Sequence, residues 1–167
     1  INFTSSSGYN LNKKGYVFDG IDDLVTQTTI KNYVSSQFTA TIILKTDYDY
    51  VGDTGFGQTI ISIDNNSALP YPLWITQKNG ILSFKTYSST TSLFDYDISS
   101  YRNQTISITV SAVNNGATRE SAKVYINDDL IKTFSTLTYA TPTNINFYLG
   151  DLRTNRNIRY KGTINMV

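Results

Sequence analysis

One stretch constrains this chain more than any other: residues 105–112 alternate without a break, with Ile106, Ile108, Val110 and Ala112 on one side and Thr105, Ser107, Thr109 and Ser111 on the other. A period of two is the signature of a half-buried β-strand, because successive side chains leave the backbone on opposite faces. Similar segments run through 15–19, 24–28, 38–45, 58–64, 73–77, 81–87, 122–126, 130–134, 144–149 and 158–164. About eleven strands at short spacing predict a sandwich or barrel. Composition agrees. Thr, Ser and Asn make up a third of the chain, Ile and Val with 13 Tyr and 8 Phe supply its apolar part, and good helix formers are scarce.

Turn chemistry punctuates the strands. Asn79-Gly80 stands between two alternating runs, and Asn-Gly supplies the two positive-φ residues of a type I′ hairpin. Asn127-Asp128-Asp129 separates two strands in the same manner, and Asn114-Asn115-Gly116 is expected to open a longer loop through Arg119 and Glu120. Further loops are expected at 48–57, 65–72, 88–100 and 152–157. No linker or internal repeat divides the 167 residues, so residues 1–167 are read as a single domain with room for a proper core. The chain opens on Ile1 and stops inside an apparent strand, and is therefore expected to be a fragment of a longer protein.

Several chemistries fall to simple counts. There is no His and no Cys, and Glu120 is the only Glu beside twelve Asp. That excludes Ser-His-Asp and Cys-His catalysis, disulfides and thiolate metal sites. Fourteen basic against thirteen acidic residues give a net charge of +1, which argues against partners held by phosphate neutralisation. No apolar run approaches a membrane span. Expected partners thus include neither nucleic acid nor an inserted membrane.

In order, the segments 16–25 (YVFDGIDDLV), 38–45 (FTATIILK), 59–63, 123–130 (KVYINDDL), 147–150 and 160–164 (YKGTI) resemble the laminin-G-like, concanavalin A-like lectin domains of bacterial and phage surface proteins. The resemblance implies an all-β, two-sheet antiparallel jelly-roll sandwich whose N-terminal strand pairs near the C-terminal one. It implies a non-catalytic module that binds glycans or proteins. One departure stands out: the turn after Tyr125-Ile126-Asn127 usually carries Gly, where this chain has Asp128. The catalytic jelly rolls of related fold place a Glu-x-Asp-x-x-Glu array on a concave strand, and this chain has none.

Recognition of a sugar combines aromatic faces, which stack on C–H surfaces, with amides and charges that bond its hydroxyls. The candidates are Asn65, Asn66, Tyr71, Trp74, Tyr87, Tyr96, Tyr148, Arg153 and Asn155. Tyr71, between two prolines, is the preferred stacking residue. Trp74 shares its side of a strand with Thr76, permitting an outward face, although a sole Trp in a sandwich also suits the core. Tyr87 and Tyr148 are expected on the faces opposite the main core, and Arg153 could meet an acidic sugar with its two-pronged guanidinium. No cofactor is required. Calcium is the one candidate ion, through Asp22 and Asp23 beside a tight turn, or Asp47, Asp49 and Asp53; the turn reading competes at the first, and at the second Gln58 replaces the Glu that an EF-hand needs.

The expected function is a non-catalytic carbohydrate-binding module for cell-surface glycan or cell-wall polysaccharide, outside the cell, on a cell surface or on a virion, as part of a larger parent protein. Two alternatives stand beside it. A structural or protein-binding domain would show a broad apolar patch, and a glycosidase would show two facing Asp carboxyls about 5–10 Å apart.

Overall fold

Alternating strands bury one side only if a second sheet covers it, and the computed structural model shows two sheets face to face. It describes residues 2–4, 8–10, 15–21, 24–28, 37–46, 57–64, 73–85, 92–115, 118–138, 146–151 and 159–166. Fourteen strands lie among them: β1 (Asn2–Thr4), β2 (Gly8–Asn10), β3 (Gly15–Asp19), β4 (Leu24–Thr28), β5 (Gln37–Thr46), β6 (Gln58–Asp64), β7 (Leu73–Lys78), β8 (Ile81–Lys85), β9 (Phe94–Asp97), β10 (Ile106–Asn115), β11 (Thr118–Ile126), β12 (Asp129–Thr138), β13 (Asn146–Leu149) and β14 (Lys161–Met166). Sheet A runs β1-β4-β13-β6-β7-β8-β9 and sheet B runs β12-β11-β10-β5-β14-β3-β2. All strand pairs are antiparallel. This is the all-β jelly-roll sandwich that the alternation and the resemblance predict, and β3 does pair with β14, Tyr16 opposite Ile164.

The core fills the space between the sheets. Ile106, Ile108, Val110 and Ala112, the apolar half of the founding alternation, are buried there with Phe18, Ile42 and Leu44 from the same sheet and Ile61, Ile75 and Leu82 from the other. Burial of such side chains contributes about 1.5–3 kcal/mol each, against the ordering entropy of the chain. The polar half, Ser107, Thr109 and Ser111, stays half-exposed on the outer face of sheet B, where Thr41 and Thr109 bond across strands at 3.0 Å.

Both short hairpins take the turn that their residues demand. Asn79 and Gly80 have φ of 52° and 79°, and Asn127 and Asp128 have 49° and 70°. Asn127 does more than turn the chain: its N–H donates to the Ser107 carbonyl at 3.0 Å and its Oδ1 accepts the Ser107 N–H at 2.9 Å. Asp128 contributes an exposed side chain and a left-handed backbone that glycine adopts more easily. Asp128→Gly is therefore expected to stabilise the fold by about 0.5–1 kcal/mol, raising Tm by roughly 2 °C in thermal unfolding. A loss of stability would show that the Asp128 side chain matters.

Three expectations need correction, and two short strands went unseen. The predicted loop at 114–120 is part of a long hairpin: β10 continues through Asn115 and β11 starts at Thr118, so Arg119 and Glu120 are strand residues. A β-bulge between Val113 and Asn114 keeps the pairing going where the alternation falters. The predicted loop at 88–100 contains β9 and a 3-10 turn, Ser99–Tyr101. Its Phe-Asp-Tyr-Asp sequence alternates faithfully, but two acids in four residues disguise an edge strand as a loop. The last strand begins at Lys161 rather than 158, and the three-residue β1 and β2 were too short to show a period.

Candidate functional site

Sheet A ends at β9, sheet B ends at β12, and the two edges meet. Tyr96 lies opposite Leu82 and Phe94 opposite Phe84, so both rings sit on the inward side of β9. Phe134 lies opposite Ala122 and Lys132 opposite Val124, both buried partners, which places Phe134 and Lys132 on the inward side of β12. Phe94 is the hub: it stacks on Phe84 at 5.8 Å, lies 6.2 Å from Tyr96, and meets Phe134 edge-on at 6.3 Å and 73°. The Lys132 ammonium stands 5.7 Å from the Phe94 centroid and 5.8 Å from that of Phe134.

Tyr101 completes the group from the 3-10 turn. Asp97 Oδ1 accepts the Ser99 N–H at 2.8 Å, the Tyr101 N–H reaches the Ile98 carbonyl at 2.9 Å, and the Ile98 N–H reaches the Gly80 carbonyl at 2.7 Å. Ile98 is itself fully buried, so the turn is pinned to the β7–β8 hairpin. Phe94, Tyr96, Tyr101 and Phe134 each pack one flank on the core and keep the other half-exposed. The result is an aromatic mouth between sheet edges.

Two of its groups are shifted from their ordinary values. Burial pushes the Tyr96 phenol up, reinforced by the hydrogen bond to Tyr101 and by the nearby Asp129 and Asp97 carboxylates, so Tyr96 stays protonated as a donor. Asp97 is held below the usual carboxylate range by its hydrogen bonds to Ser99. That is the reverse of what a glycosidic general acid needs. Asp95, on the other side of β9, accepts the Ser83 hydroxyl at 2.7 Å.

Of the residues singled out from sequence, Tyr96 belongs to this mouth. Tyr101, an aromatic expected beside Tyr96 in a loop, joins it, whereas Phe94, Lys132 and Phe134 were missed, since nothing local announces that residues 94–101 and 132–134 are neighbours. Trp74 and Tyr148 lie together elsewhere: the register runs Tyr148, Ser62, Trp74, Lys85 across β13, β6, β7 and β8, on the face of sheet A turned away from the core. Direction alone does not expose them. Trp74 is 0% and Tyr148 6% exposed, so neither ring offers a face to an incoming sugar. Trp74 Nε1 donates to Thr59 Oγ1 at 3.0 Å, Asn146 Nδ2 donates to the Tyr148 hydroxyl at 3.2 Å, and the Lys85 ammonium covers the indole at 4.4 Å.

Asn65, Asn66, Tyr71, Tyr87, Arg153 and Asn155 lie outside the described residues, as do Asp22, Asp23, Asp47, Asp49 and Asp53. Beside the first acidic pair, Asp19 Oδ1 accepts the Ile21 N–H at 2.7 Å, with Gly20 at φ 86°, which is turn chemistry. Among the described residues no group of three or more acidic side chains could hold a metal ion, and no helix is long and apolar enough to cross a membrane.

No family model matches the chain, and no curated protein matches it. Solved structures do share its fold. The receptor-binding domain of botulinum neurotoxin mosaic serotype C/D is similar over 98% of this chain and 41% of its own, at 16% identity and a TM-score of 0.66. Domain 4 of AbnA, an extracellular arabinanase from Geobacillus stearothermophilus solved with arabinotriose, is similar over 99% of this chain and 73% of its own, at 18% identity and TM-score 0.61. The binding domain of botulinum neurotoxin DC, solved in complex with SialylT, is similar over 99% of this chain and 41% of its own, at 21% identity and TM-score 0.65. The chain therefore spans about two fifths of the toxin binding-domain chains it resembles. At these identities the likeness defines a class by fold, the jelly-roll β-sandwich.

Proposed function

We propose that this chain is a non-catalytic carbohydrate-binding module, and that the aromatic mouth between β9 and β12 is its binding surface. The observation that carries the reading is the meeting of four half-exposed rings, Phe94, Tyr96, Tyr101 and Phe134, with the ammonium of Lys132 over two of them and Asp129 on the same inward side of β12. The rings supply stacking faces, and the Tyr96 phenol and the Asp129 carboxylate supply hydroxyl partners, the combination that sugar recognition requires. Support also comes from two neighbours of the same fold, whose structures hold arabinotriose and SialylT. The wider setting we infer is the outside of a bacterial cell or a phage particle, where the module would attach a larger protein to cell-surface glycan or cell-wall polysaccharide.

A glycan array followed by titration of the best oligosaccharide tests this. Tyr96→Leu and Phe134→Leu are each expected to weaken binding about tenfold while leaving the fold intact. Tyr71→Ala serves as the comparison, since Tyr71 was the preferred residue on sequence grounds. Loss of binding in Tyr71→Ala with none in Tyr96→Leu would move the site away from the mouth. A folded protein that binds no glycan on the array, but assembles with protein through the same surface, would favour a structural or protein-binding domain.

A further inference from the structure

Resting on the reading of the mouth as a glycan site, we propose that it selects glycans carrying a positively charged amino or quaternary ammonium substituent. The argument begins with Lys132. Edge strands often carry an inward-pointing charge to prevent sheet-to-sheet pairing, and Lys132 has that position. Its ammonium, however, is turned over two aromatic rings, 5.7 Å from Phe94 and 5.8 Å from Phe134. Both distances lie near the roughly 6 Å limit at which a ring quadrupole still attracts a cation. The mouth thus already holds a cation of its own, loosely, on an exposed and flexible stem.

A better cation would sit closer. Tyr96, 6.2 Å from Phe94, extends the aromatic wall, and Tyr101 lies beside it. Asp129 lies opposite the buried Ile126, on the inward side of β12, so its carboxylate stays beside the rings once the exposed Lys132 swings out. An anionic sugar would meet the negative ring faces and Asp129, whereas an ammonium group would meet ring faces and opposite charge together. Lys132 is then an internal competitor, whose removal should improve binding rather than impair it.

The probe is choline, set against its neutral isostere 3,3-dimethylbutan-1-ol, with titration followed by NMR on the whole chain. Choline is expected to bind saturably and about tenfold tighter than the isostere. Lys132→Gln is expected to tighten choline binding about threefold or more, and Phe94→Leu to weaken it in parallel with Tyr96→Leu. Equal binding of choline and isostere, no saturable choline binding, or weaker binding in Lys132→Gln would each overturn the proposal. A panel of neutral and N-acetylated oligosaccharides, run beside amino-sugar oligomers, separates the two levels. Neutral glycans binding in a Tyr96-dependent way without choline binding would remove the cation preference and leave the glycan site standing. Binding of neither class would remove both.

Discussion

Gly162→Ala is expected to cost the fold about 3–5 kcal/mol and lower Tm by roughly 10 °C. Gly162 lies in β14 between Phe18 of β3 and Thr46 of β5, with φ of 145°, a backbone conformation that L side chains rarely adopt. A Cβ there would come within 2.3 Å of the Lys45 carbonyl oxygen and 2.7 Å of the Tyr160 hydroxyl. The first is backbone in the middle of a sheet and cannot yield without breaking the ladder. The second belongs to a fully buried ring packed edge-on against Phe18 at 5.9 Å. Gly80→Ala is the control: its φ of 79° is also unfavourable, but the nearest atoms stand 3.6 Å away, so about 1 kcal/mol is expected. Urea unfolding of the two variants measures the difference. If Gly162→Ala lost no more than Gly80→Ala, the close approach of β14 to β5 would be wrong.

Trp74→Ala is expected to cost about 3–5 kcal/mol, through the cavity left by the largest buried side chain and the loss of a donor to Thr59. Trp74→Phe keeps most of the volume and loses the indole N–H, so about 1–2 kcal/mol is expected. Neither change should alter glycan affinity in the folded protein. Because Trp74 is the only Trp, its fluorescence reports on this one position: blue-shifted, shielded from acrylamide, and unmoved by ligand. An emission that shifts with added oligosaccharide would place the sugar here rather than at the mouth.

The same pair sets a pH dependence. Burial pushes the Lys85 ammonium below its ordinary value, with Asp95 pulling the other way. The folded state therefore holds that proton less tightly than the unfolded chain, and Lys85 carries its full penalty at neutral pH. Stability gains from this group as pH rises through the lowered folded value towards 10.5. Lys85→Met keeps the stem over the indole and should flatten that alkaline gain, read from unfolding midpoints between pH 7 and 10. An unchanged slope would assign the alkaline behaviour to other groups.

Alternation by itself determined most of the strands, and it did so because a period of two is a local property that each segment displays before any partner is known. The hairpin at Asn79-Gly80 was legible for the same reason, since positive φ is a property of those residues. The founding stretch around Ile108 went inward as its pattern required. Where the period carried less information, the reading failed: β9 hid behind Asp95 and Asp97, and the Asn114-Asn115 pair looked like a loop while a bulge was absorbing it.

Tertiary structure decided the rest. Alternation says that Trp74 and Ile75 point in opposite directions, but the two faces of a sheet are equivalent until something covers them, so it could not say that Trp74 would be buried on the outer side. Nor could it insert β13 between β4 and β6, or bring β9 against β12. Those pairings join residues far apart in sequence, and their energy exists only once the two sheets have closed on a common core. The aromatic mouth is a product of that closure, assembled from two edge strands of which one offered a single Tyr to a reader of the sequence.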